Sequence, residues 1–200
     1  MKIAYLHGLL HTSTTKTDWL SKNHDVFTPT ILHSTPEVFE LTIRNVKKFN
    51  PDLIIGSSMG GYFAIEIGKR LNIPVIGLNP AVHNTGVNIN IPPNNETEYN
   101  PLMYMGYGIN DNVIDYKKSI DILDGIPFKL GLHTHRTPLE FFKETFNTLV
   151  NSVGNLPTTP SYKRSFCISS SPTNIDTVEH GVDSHPSLQS CAPIAAINEI

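Results

Sequence analysis

The sequence predicts an α/β protein built on an open, mostly parallel sheet with helices on both faces. Three observations carry this expectation. Apolar runs of strand length recur along the chain, and most are unbroken rather than alternating, as strands covered on both faces require. Stretches of helical periodicity fill several of the gaps, and strands alternating with helices favour parallel pairing. No internal repeat is present, and 200 residues of ordinary apolar content suffice for one sizeable core.

The runs are KIAYLH (2–7), DVFTPTI (25–31), DLIIGS (52–57), PVIGLN (74–79), LMYMGY (102–107) and PFKLGL (127–132). In residues 34–49, Phe39, Ile43 and Val46 share one helical face, and Ser34 with Glu37 has the spacing of a capping box. Ala64, Ile67, Gly68 and Leu71 form a second such face. Residues 137–150, TPLEFFKETFNTLV, predict a docking helix with Thr137 as N-cap, Pro138 at the first helical position and Glu140 completing a box. Its apolar stripe is Leu139, Phe142, Phe146 and Leu149. The Asn- and Pro-rich segment 81–101 is too polar for a core element and reads as a surface excursion.

After residue 150 the chain turns to Ser, Thr, Pro and Asn without a sustained period. The expected organisation is therefore a folded domain over 1–150 and a Ser/Thr/Pro-rich tail over 151–200. The tail is expected to be disordered, since it buries too little apolar surface to offset its ordering entropy.

Composition excludes several classes of function. A net charge of −3 provides no basic field for nucleic acid or an anionic membrane surface. No stretch approaches the roughly 18 to 20 apolar residues that cross a bilayer. The opening MKIAYLHGLLHTS is interrupted by histidines and reads as a first strand rather than a leader. Both cysteines, Cys167 and Cys191, lie outside the expected core, so a disulfide framework has little support. The expectation is a cytoplasmic protein with no nucleic-acid or membrane partner; its oligomeric state stays open.

The third run enters a helix through GSSMG, a G-x-S-x-G pattern formed by Gly56, Ser57, Ser58, Met59 and Gly60. Such a match is common by chance, but here it stands between a buried strand and a helix, as a nucleophile elbow requires. The competing reading, a phosphate-binding loop, lacks the GxxxxGK[ST] and GxGxxG spacings. A sharp turn would expose the central Ser58 at the top of the sheet, leave Ser57 along the strand, and allow no Cβ at the flanking glycines.

A serine nucleophile needs a proton acceptor, and the acceptor needs an orienting carboxylate. Asp111 follows the fifth run directly and is the candidate acid, against the plain reading of a turn aspartate. Asp115 is better explained as an N-cap. After the sixth run come His133 and His135. His133 is preferred as the base because it leaves the strand first, and His135 is the alternative. The His-x-His pair is also a possible metal ligand pair, but no carboxylate or cysteine accompanies it at ligand spacing, so no metal is expected. For the oxyanion, Met59 supplies the amide after the nucleophile, and Leu9, following His7-Gly8 at the end of the first strand, supplies a candidate second amide. The plain reading of His7-Gly8 is a strand-ending turn.

Together, IAYLHGLL, IIGSSMGGYFA, IGLNPAV, YGINDNVIDY and GLHTH resemble, in order and over residues 1–150, the small YqiA-like esterases of the α/β-hydrolase superfamily. The resemblance implies an α/β-hydrolase fold without a large lid domain and hydrolysis of a small-molecule ester without a cofactor. It maps the triad onto Ser58, Asp111 and His133, with Leu9 and Met59 as oxyanion donors. Asn79 to Val82 would lie on the rim near the site. Alternatives are a thioesterase or amide hydrolase on the same triad, or a non-catalytic binding protein of this fold.

Overall fold

The computed structural model describes residues 1–9, 14–33, 35–83, 91–93 and 99–154. Six strands, β1 (Lys2–Leu6), β2 (Asp25–Phe27), β3 (Leu53–Ser57), β4 (Val75–Leu78), β5 (Met103–Gly108) and β6 (Phe128–Gly131), form one sheet in the order β2-β1-β3-β4-β5-β6. Every pair is parallel. The five described helices are α1 (Thr14–Leu20), α2 (Val38–Phe49), α3 (Met59–Leu71), α4 (Tyr116–Ile122) and α5 (Leu139–Gly154). The chain runs β1 to β2 at one edge, then crosses to β3 and proceeds stepwise to β6 at the other. That reversal beside β1 is the kind of switch point at which open α/β sheets place their ligands.

Successive strand residues face opposite sides of the sheet, and both sides are covered. Ala4, Leu6, Ile54, Val75, Met103, Met105 and Tyr107 pack with Val38, Phe39 and Val46 of α2, Phe63, Ala64 and Ile67 of α3, and Leu123 just beyond α4. Ile3, Tyr5, Leu53, Ile55, Ile76 and Leu78 pack on the opposite side with Leu20 of α1 and with Phe142, Phe146 and Leu149 of α5. This two-sided burial explains why the strands read as unbroken apolar runs. The exceptions are the edge strands: β2 has no fully buried residue, and alternate residues of β6 are exposed.

Several boundaries differ from the sequence reading. The second run pairs only over Asp25–Phe27, since Pro29 has no N–H to give the ladder. Helix α2 begins at Val38 with Glu37 as N-cap and no side-chain capping bond. Pro36 disfavours helical backbone at Thr35, which delays the start, and Ser34 lies outside the described residues. Glu140 pairs with Lys143 at 2.7 Å, an ion pair one helical turn along α5. Helix α1 was not expected, because Trp19 and Leu20 are its only apolar side chains. Those two anchor it: Leu20 is fully buried, and the Trp19 ring meets Phe142 and Phe146 edge-on at 5.7 and 5.4 Å. The expected tail contributes Asn151 to Gly154 to α5, and 155–200, with both cysteines, lies outside the described residues. Among the described residues there is no lid domain, and no helix is long and apolar enough to cross a membrane.

Candidate active site

The corner between β3 and α3 forms as the glycines dictate. A Cβ on Gly56 would lie 2.1 Å from the Gly60 carbonyl oxygen, and one on Gly60 would lie 2.1 Å from that of Leu6. Backbone therefore touches backbone on both sides of the turn. Ser58 sits between them with φ 55° and ψ −122°, a conformation that costs an L-residue about 1–3 kcal/mol. Among the described residues the other non-glycine positive φ values belong to Asn50, Asn72 and Asn79, a residue type that tolerates this region. The surroundings hold Ser58 there: its N–H donates to the Leu78 carbonyl at 2.9 Å, and its carbonyl accepts from Gly61 and Ala81 at 2.9 and 3.0 Å.

Asp111 lies three residues beyond β5, in a turn where its N–H donates to the Gly108 carbonyl at 3.2 Å. Its side chain is only 1% exposed. Oδ1 accepts from the backbone N–H groups of Val113 and Ile114 at 2.8 and 3.0 Å, leaving Oδ2 to meet Nδ1 of His135 at 2.7 Å. Nε2 of the same imidazole lies 3.0 Å from Ser58 Oγ. With the carboxylate accepting the Nδ1 proton, the neutral ring presents a lone pair at Nε2 toward the serine hydroxyl.

The structure thus brings Ser58 and Asp111 together through His135, and it places the preferred His133 elsewhere. His133 is 8% exposed, its Nδ1 pairs with the Thr134 carbonyl at 2.7 Å, and its ring meets Phe141 edge-on at 4.6 Å. Its Nε2 has no partner among the described residues. The reason is distance across the sheet. The elbow leaves β3 and the histidine loop leaves β6, three strands away, which at about 4.8 Å per strand is roughly 14 Å. The loop must bend back over β5 before a side chain reaches Ser58. His133 is still above the β5–β6 pair, where its carbonyl accepts from Asn110 N–H at 3.1 Å and a Cβ on Gly108 would lie 2.6 Å from its ring.

Met59 is the first residue of α3, whose leading amides have no partner within the helix. Gly8 lies against the nucleophile: a Cβ there would stand 3.1 Å from Ser58 Cβ and 3.6 Å from Oγ. The chain at Gly8-Leu9 therefore passes beside the hydroxyl. Asp115 is the N-cap of α4, its Oδ1 accepting from Lys117 N–H at 3.0 Å. No group of three His, Cys, Asp or Glu residues among the described residues is placed to hold a metal ion.

Solved structures of other proteins share the fold that carries these residues. At a TM-score of 0.58 and 12% identity, the structure matches an alpha/beta-superfamily protein from Xanthomonas campestris, over 76% of this chain and 98% of that one. The chain has the α/β-hydrolase fold. The model of the uncharacterised protein family UPF0227 matches residues 2–99, which include the elbow and the Leu9 turn, and bears out the YqiA-like resemblance of the sequence. Two further solved structures are similar in fold. The type II thioesterase YbtT of yersiniabactin biosynthesis has a TM-score of 0.55 at 11% identity, over 75% of this chain and 91% of that one. The esterase domain of a Rhodothermus marinus protein has a TM-score of 0.54 at 11% identity, over 76% and 85%. No curated protein matches the chain in sequence.

Proposed function

We propose that this α/β hydrolase is a serine esterase that cleaves a small carboxylic ester through an acyl-enzyme. The observation that carries the reading is the unbroken line from Asp111 Oδ2 through the His135 imidazole to Ser58 Oγ, with contacts of 2.7 and 3.0 Å. Ser58 Oγ attacks the acyl carbon as its proton passes to His135 Nε2. The alkoxide of the substrate leaves with that proton. Water, deprotonated in turn by His135, attacks the acyl-serine, and the carboxylic acid and the free hydroxyl are regenerated. Asp111 fixes the imidazole tautomer and favours the imidazolium formed between the two steps.

Both tetrahedral intermediates carry a negative oxygen, for which the Met59 and Leu9 amides are the donors. Each such donor contributes about 10² to 10³ in turnover in sites of this kind. None of these steps requires a metal or a cofactor.

The test is hydrolysis of p-nitrophenyl acetate and butyrate, with an acyl thioester in the same panel, alongside labelling by a fluorophosphonate. Wild-type protein is expected to turn over ester and take one label, and Ser58→Ala to do neither while remaining folded. Wild-type protein that takes no label and hydrolyses nothing would favour a binding protein of this fold.

A further inference from the structure

We propose that Asn79 is a positioning residue that sets the His135 and Asp111 loops against the elbow, so that the three side chains meet. This rests on the serine-hydrolase reading for its kinetic consequence, though not for its geometry. Asn79 follows β4, the strand beside the elbow's own, and is 1% exposed with φ 44°. A strand-end asparagine on the surface would be an ordinary turn residue. This one is buried, and every polar group of its side chain reaches a different loop of the site.

Oδ1 accepts from Gly108 N–H at 2.7 Å. Gly108 ends β5 and its carbonyl receives the Asp111 N–H, so this bond fixes the foot of the acid turn. Nδ2 donates to the backbone carbonyl of His135 at 2.9 Å and, more weakly, to Thr137 Oγ1 at 3.5 Å. The amide orientation follows from these partners, because the reverse would set two carbonyl oxygens against each other and two N–H donors likewise. The Asn79 N–H donates to Gly106 at 2.8 Å, locking the residue to β5.

The same segment also holds the nucleophile. Leu78 and Ala81, on either side of Asn79 and Pro80, bond the backbone N–H and carbonyl of Ser58. Residues 78–81 thus touch all three arms: Ser58 through the main chain, and the acid and histidine loops through one side chain. The acid and histidine loops are additionally joined by Ile109 N–H to Gly131 and Asn110 N–H to His133, at 2.9 and 3.1 Å. Those bonds fix the two loops to each other. Apart from the His135 contact with Ser58 Oγ itself, the Asn79 side chain ties the pair to the segment that holds the elbow, and its loss would let both swing away from Ser58 together.

Two variants test this. Asn79→Gly removes both side-chain bonds and accepts the positive φ. Asn79→Asp keeps the shape and the Gly108 bond but sets an acceptor against the His135 carbonyl. Both are expected to fold and to lose kcat on p-nitrophenyl acetate about 100-fold with little change in KM, as misplacement by an ångström does. A readout independent of turnover is the downfield proton signal of His135 Nδ1–H, identified by its loss in Asp111→Asn. It should shift or broaden in the folded Asn79 variants. A folded variant with unchanged signal and unchanged kcat overturns the proposal. A wild type inert to every ester, with the signal still moving in the Asn79 variants, removes the hydrolase reading and keeps the positioning role.

Discussion

The His135 imidazole stands 3.0 Å from Ser58 Oγ, although the two residues leave strands separated by two others in the sheet. The elbow is rigid, built by backbone packed on backbone at Gly56 and Gly60, whereas the histidine arrives on a loop that must cross β5 and β4. Precision at the site therefore depends on what fixes that loop, and substitutions there should separate turnover from folding.

The acid is a first case. Asp111→Asn should fold normally and lose roughly 10⁴-fold in kcat, because an amide in place of Oδ2 favours the wrong imidazole tautomer. Asp115→Ala removes the α4 cap instead and should cost about 1 kcal/mol in urea unfolding with turnover near wild type. The reverse ranking would assign the acid to the wrong aspartate.

Glycine positions distinguish contact from conformation. Gly56→Ala forces a methyl to within 2.1 Å of the Gly60 carbonyl and should destabilise by about 3 kcal/mol or more, since neither backbone can yield. At Gly125, φ is 76° and nothing lies within 4 Å, so Gly125→Ala should cost only the left-handed penalty of about 1–2 kcal/mol. Comparing the two midpoints of thermal unfolding checks the assignment, and equal losses would contradict it.

A pH dependence follows from His33. Its ring is buried 6.0 Å from that of His7, and neither nitrogen has a hydrogen-bond partner among the described residues. Burial, followed by the neighbouring His7, holds its pKa below the ordinary value, and the nearby carbonyls of His7 and Gly8 oppose this without cancelling it. Below about pH 6.5 the unfolded chain takes up a proton that the folded protein resists. Stability present above that pH is thus lost as the pH falls through the folded-state pKa. The urea midpoint should decline on acidification, and decline less in His33→Leu. Parallel curves would exclude His33 as the source.

How much of this was legible in the sequence depends on whether the determining contacts are local. All six strands were, the inner four because burial on both faces leaves each as a continuous apolar run. The elbow was also legible, since glycine spacing and the strand-to-helix change both lie within a few residues of Ser58. Helix α1 was not, because it is held by Trp19 and Leu20 against a partner helix more than a hundred residues later. The choice between His133 and His135 depended on β6 lying three strands from β3, a property of the sheet rather than of the loop. Asn79 was read as a rim residue; its side-chain partners, Gly108, His135 and Thr137, lie 29, 56 and 58 positions away.

The central claim is that Ser58 is activated by His135, and fluorophosphonate labelling of the two histidine variants tests it most directly. Intact-mass measurement over time, with peptide mapping of the adduct, should find a single label on Ser58 in wild type. His133→Ala should lower stability by about 1–3 kcal/mol through the lost packing on Phe141 while still taking the label at Ser58. His135→Ala should fold and label at least about 100-fold more slowly, since the hydroxyl then lacks its proton acceptor. Rapid labelling of folded His135→Ala together with loss of labelling in folded His133→Ala would contradict the account.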